Sequence, residues 1–160
     1  MPKKEMMVWI SLRIVLGLTF LWAFFDKLFG LGFATSPDKS WLLGNSPTFG
    51  FLSNTKGIFS TLFQGLAGSA LVDWLFMLGL LLIGLALVFG VALRLAGYSG
   101  TLLMVLMWLA SIPPSNNPIL DDHVVYALVL IGIAVIRPYR FGFGKYYYNC
   151  SLVKKYKILQ

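Results

Sequence analysis

Hydrophobic residues fall in long blocks along this chain, not in the strict alternation of a half-buried strand. Four blocks span about 6–29, 72–93, 95–112 and 118–136. A helix of about 20 apolar residues crosses a hydrocarbon core of roughly 30 Å, and the blocks have about that length. Between 74 and 112 the sole charged residue is Arg94, so the second and third blocks read as an antiparallel hairpin that turns there. Ala86 and Gly90 make one small-xxx-small pair, and Gly97 and Gly100 thin the facing helix; such residues let helix backbones approach closely in lipid. The pattern predicts an all-α fold, an integral-membrane four-helix bundle forming one domain over 1–145. A basic tail follows over 146–160.

The segment at 30–71 is long but not polar. Phe51, Leu52, Ile58, Phe59, Leu62, Phe63 and Leu66 recur at helical spacing, and Ser46 before Pro47 has the character of a helix start. This predicts one amphipathic helix lying at the membrane interface, as a cap on the bundle or as a lid over a site at its outer mouth.

Composition makes the membrane reading firm. Of 160 residues, 58% are hydrophobic and 12% charged, more apolar surface than a soluble domain of this size can hide. The net charge of +7 does not imply nucleic acid, because the basic residues gather at block ends. Lys3, Lys4, Arg94, Arg137, Arg140, Lys145, Lys154, Lys155 and Lys157 share one side, against Lys27, Lys39 and Lys56 on the other. By the positive-inside rule both termini are cytoplasmic. The first block is too long for a signal peptide and no small-residue cleavage site follows it, so it is expected to remain as an anchor.

Charged residues within or beside the blocks are the candidates for chemistry. Arg13 lies about 10 Å into the first block and is expected to face the bundle or to snorkel towards headgroups. Arg13, Gly17, Phe20, Phe24 and Lys27 form one helical stripe. Asp26 and Lys27 end that helix, pointing about 100° apart. The fourth block opens with Asp121, Asp122 and His123. With Asn117 as cap and Pro118 at the first position, the two acids fall in the first turns, where the helix dipole favours them. A histidine beside carboxylates also exchanges protons near neutral pH, and Tyr126 lies one turn on.

Four stretches carry a resemblance: RIVLGLTFLWAFFDKLFG at 13–30, GNSPTFGFL at 44–52, VDWLFMLGLLLIGLALVFGVALRLAG at 72–97 and MWLASIPPSNNPILDDHVVYALVL at 107–130. In this order they resemble the DoxX family, including the DoxD-like subunits of thiosulfate:quinone oxidoreductase. The resemblance implies a four-helix bundle in the plasma membrane of a bacterium or archaeon. For the DoxD-like branch it implies electron transfer from thiosulfate to a membrane quinone, alongside a second subunit. By position the carried-over residues are Arg13, Asp26, Lys27, Arg94, Asn117, Asp121, Asp122 and His123.

Cofactor motifs narrow the chemistry. The single His123 cannot supply a bis-histidine haem, and the single Cys150 offers neither an iron–sulfur cluster nor an internal disulfide. No flavin- or dinucleotide-binding GxGxxG, HExxH or CxxC pattern is present. A redox role therefore requires a diffusible membrane quinone or a cofactor on a partner. The leading expectation is a membrane subunit of a quinone-linked oxidoreductase. In it His123 with Asp121 or Asp122 moves protons, Lys27 attracts a small sulfur anion, and Trp41, Trp74 and Tyr126 border the ring slot. The alternatives are a non-enzymatic scaffold or lipid-binding partner of another complex, and a small-solute transporter, for which a homodimer would supply the missing helices.

Overall fold

A computed structural model describes residues 2–114, 117, 119–156 and 159. All regular elements among them are helical. Four form the bundle: α1 (Lys3–Phe29), and then, after two short helices α2 (Phe49–Ser53) and α3 (Ser60–Gln64), α4 (Ala70–Phe89), α5 (Leu93–Ser111) and α6 (Asp122–Ile136). Two more short helices, α7 (Gly144–Asn149) and α8 (Ser151–Lys155), complete the chain. Helices α1, α4 and α5 are each long and apolar enough to cross a membrane, and α6 is a shorter apolar helix.

The antiparallel helices give the bundle a His123 end and an Arg13 end. Helix α1 packs along α4 and α5 along α6, while α4 and α5 are joined by the turn at 90–92 and also touch at Ile83 and Gly100. Leu16, Phe20, Phe24, Met77, Leu80, Ile83, Leu87, Met104, Leu130 and Ile133 fill the centre. Of the expected α1 stripe, Arg13, Gly17, Phe20 and Phe24 are buried and Lys27 is half-buried. Outward faces remain apolar at Val8, Val15, Leu71, Leu75, Leu82, Leu102, Leu128 and Val135, as lipid contact requires.

The small residues work at other contacts than their spacing suggests. At Gly17 an added Cβ would meet the Val88 backbone N at 2.9 Å, and at Gly84 it would meet the Gly17 carbonyl at 3.1 Å. The tight crossing is thus α1 on α4. Gly97 faces α6, where a Cβ would lie 2.7 Å from the Leu130 carbonyl and 2.7 Å from Ala134 Cβ. Gly90 belongs to no small-xxx-small seam: it is the left-handed C-cap of α4 at φ 76°.

Two boundaries differ from expectation. Helix α6 begins at Asp122, not near residue 118, because Asp121 is its cap: the backbone there is extended and its carboxylate accepts from the His123 and Val124 amides. Asn117 does not cap the helix. Its Oδ1 accepts from the amides of Ile119 and Leu120, at 2.9 and 3.0 Å, a local Asx turn. Pro118, the expected first helical residue, lies outside the described residues.

The single interfacial helix expected at 30–71 is instead two five-residue helices. The chain breaks between them at Gly57, which adopts φ +99° and abuts the Ile112 carbonyl so closely that no Cβ would fit. Ser46 does serve the start of α2, accepting from the Phe49 amide at 3.1 Å.

At the Arg13 end the chain after α6 folds back onto the bundle. The Phe143 amide donates to the Phe89 carbonyl at 3.0 Å, the Leu93 amide donates to the Tyr148 hydroxyl at 3.1 Å, and Val153 is buried.

Candidate functional site

Asp121 has two jobs. Its Oδ1 accepts from the His123 amide at 3.0 Å and from the Val124 amide at 3.4 Å, which anchors the first turn of α6. Its Oδ2 lies 2.7 Å from His123 Nδ1. A carboxylate accepts from Nδ1–H, so this contact selects the tautomer whose Nε2 is the basic nitrogen and fixes the ring plane. Local sequence creates the pair: an aspartate at the cap position and a histidine two residues on place the two side chains side by side.

Both residues line a cleft of about 610 Å³ at the His123 end. Its walls are the start of α6 (Leu120, Asp121, Asp122, His123), the end of α5 with Pro113 and Pro114, Phe51 of α2, and the loop residues Asn54, Thr55 and Lys56. Asp122 is exposed within it. Two carboxylates against the Lys56 ammonium leave one net negative charge while His123 is neutral. That balance disfavours a dianion and suits a neutral or proton-exchanging guest.

The remaining sequence candidates go elsewhere. Asp26 is 1% exposed, and its carboxylate accepts from the Phe33 amide at 3.3 Å and the Ala34 amide at 3.0 Å. It thereby ties the start of the long loop to α1. Lys27 is half-buried, with its ammonium 5.9 Å from the Phe76 ring centroid. The adjacent pair thus splits as helical geometry requires, and neither residue reaches the His123 cleft. Tyr126, 36% exposed on α6, and Asn117 are not among the cleft's lining residues. Trp41 and Trp74 pack edge to face, centroids 4.7 Å apart at 73°, beside a separate cleft that shares no residue with the first.

Arg13 sits at the opposite end and is completely buried. It faces the bundle, as one of the two expectations held, and does not snorkel to the surface. Its Nη2 donates to the Phe141 carbonyl at 2.9 Å, while Nε and Nη1 find no partner among the described residues. Burial pushes the nearby Tyr148 phenol up, an effect the Leu93 amide and the arginines partly offset. Arg94, half-buried at the start of α5, also lies at this end.

Lys56, Asn54 and Thr55 were not picked out by the sequence as site residues. The signal was the polar run Ser53–Asn54–Thr55–Lys56 interrupting otherwise helical apolar spacing. Asp73 was also passed over, yet it holds the loop through the Ser46 and Thr48 side chains. Among the described residues, no group of three or more His, Cys, Asp or Glu side chains converges as a metal site would need.

Comparison of the chain with protein-family models, with curated proteins and with solved structures finds no match. The DoxX resemblance rests on the sequence stretches that carry it.

Proposed function

We propose that this chain is the membrane subunit of a quinone-linked oxidoreductase, with His123 as its proton-exchanging group. One observation carries the reading: the His123–Asp121 contact of 2.7 Å on the wall of an open cleft between membrane helices. Reduction of a quinone takes two electrons and two protons. On this reading two thiosulfate ions each give up one electron as their sulfurs join in tetrathionate, and a second subunit passes the pair on. Protonated His123 donates Nε2–H to a reduced quinone oxygen and is recharged from water in the cleft. Asp121 holds the ring and stabilises the imidazolium. On this reading the sulfur donor binds on the partner, which the cleft's negative charge supports over a site beside Lys56. The protein would then sit in the plasma membrane of a bacterium or archaeon, as the DoxX resemblance implies, with both termini cytoplasmic by the positive-inside rule.

A second reading is favoured by Asp26 and Asp73, both buried and both engaged in holding the long loop. Those contacts suit a scaffold whose outer face docks another protein.

The test is quinone content and turnover. Protein purified from membranes in mild detergent should carry quinone at close to one per chain, and its complex should reduce quinone on addition of thiosulfate. His123→Ala should abolish turnover while leaving the helical content intact. Quinone no more abundant than in bulk lipid, together with no turnover in wild type, would move the assignment to the scaffold.

A further inference from the structure

Asp73 is a buried carboxylate without a counter-charge. It is 6% exposed, and no cation pairs with it among the described residues. Its Oδ1 accepts from the Ser46 hydroxyl at 2.8 Å, the Thr48 hydroxyl at 2.5 Å and the Thr48 amide at 3.3 Å. Its Oδ2 accepts from no donor among the described residues. The residue lines an open cleft of about 240 Å³.

Indoles form the other walls. Trp41 and Trp74 meet at 73° with centroids 4.7 Å apart, so two aromatic planes make a corner, and both residues line the cleft with Asp73. Trp74 stays 55% exposed although it already packs against another ring. An indole face attracts a cation through its quadrupole, more strongly than any other side-chain ring. A carboxylate and two indoles lining one cleft supply what an alkylammonium group needs, charge on one side and polarisable surface on the others.

We propose that the corner between Trp41 and Trp74 binds a small organic ammonium group, with Asp73 as its counter-ion. The site is independent of the His123 cleft and of the redox reading. Ammonium of this kind comes from two sources, a soluble amine or the headgroup of a zwitterionic lipid. The position at the start of α4, an apolar helix of membrane-spanning length, gives access to both.

The experiment titrates choline chloride and ethanolamine hydrochloride into the full-length protein, with sodium chloride as the control, and reads heat and tryptophan emission. Titrations are run in detergent, in phosphatidylglycerol nanodiscs and in phosphatidylcholine nanodiscs. Saturable binding in the first two media is expected, weakened roughly tenfold or more by Asp73→Asn and by Trp74→Leu. Leucine at the half-exposed position 74 keeps the fold, and asparagine at 73 keeps an acceptor for Ser46 and Thr48. Loss of choline binding only in phosphatidylcholine discs identifies the lipid headgroup as the occupant, whereas equal binding in both discs identifies a soluble amine. No saturable binding of either amine in detergent and phosphatidylglycerol discs, or variants that bind like wild type, would overturn the proposal. Asp73 would then be a loop anchor favoured by the α4 dipole.

Discussion

The guanidinium of Arg13 occupies the space where Gly90 lacks a side chain. The contact explains both residues together. A glycine in the left-handed conformation ends α4 and at the same time opens a slot for a buried cation from α1. The helix C-terminus, with its partial negative charge, lies beside that cation.

Gly90→Ala should therefore be costly twice over. The left-handed backbone costs a β-carbon roughly 1–2 kcal/mol, and here the β-carbon would also overlap Arg13. Gly44→Ala is the control, since Gly44 has a similar φ of +85° but nothing within 4 Å of an added Cβ. Thermal unfolding in detergent should show a larger loss for Gly90→Ala, and equal losses would refute the packing account.

Asp121→Asn separates cap from tautomer. Asparagine still caps a helix about as well as aspartate, so stability should fall by less than about 1 kcal/mol. The imidazole, however, loses its carboxylate partner. Turnover of the quinone-linked complex should drop by at least roughly tenfold, less than the roughly 10²–10⁴-fold that a positioned acid–base group itself contributes, because Asp121 acts through His123. Unchanged turnover with an unchanged pH profile would remove Asp121 from the mechanism.

Asp26→Ala should release the loop without unfolding the bundle. It removes the acceptor of the Phe33 and Ala34 amides; both residues are exposed, so water takes the acceptor's place and the cost is about 0.5–1.5 kcal/mol per bond. Limited proteolysis should cut faster within 30–69, while cleavage between α4 and α5 stays at the wild-type rate.

Alkaline pH should loosen the Arg13 end first. Burial raises the Tyr148 and Tyr147 phenols above the ordinary value of 10.0. Above that value the unfolded chain has lost these protons and the folded one still holds them, so stability falls as pH rises. Melting curves at increasing pH should show a shallower decline for Tyr148→Phe than for wild type. An identical decline would assign the effect to other groups.

The long helices were legible because lipid demands a simple signal: blocks of apolar residues of the right length. The buried stripe through Arg13 and Gly17 was legible for the same reason, since helical periodicity brings them to one face. Contacts between distant segments were not. That Gly97 faces α6, or that Phe141 returns to Arg13, depends on how helices pair, which spacing does not encode. The candidate site was half legible. Asp121, Asp122 and His123 are consecutive and share a cleft, but Lys56 reaches it from a loop more than sixty positions earlier in the chain. Asp26, Lys27, Trp41 and Trp74 belong near the same end, yet hydrogen bonds and ring packing direct them to other tasks. The misplaced start of α6 has a local cause: an extended backbone at Asp121 makes a better cap than the Asx turn at Asn117 allows.

The bundle's helices are unequal, and the bilayer must answer that inequality. At 1.5 Å per residue, the 27 residues of α1 measure about 40 Å, whereas the 15 of α6 measure about 22 Å. Against a hydrocarbon core of roughly 30 Å, α6 falls short, and a bilayer accommodates such a mismatch by thinning beside the short helix or by snorkelling of its flanking residues. On the quinone-linked reading, that short flank would let water and headgroups reach the level of His123, so protons would come to the histidine from the side of the bundle and need no channel through it.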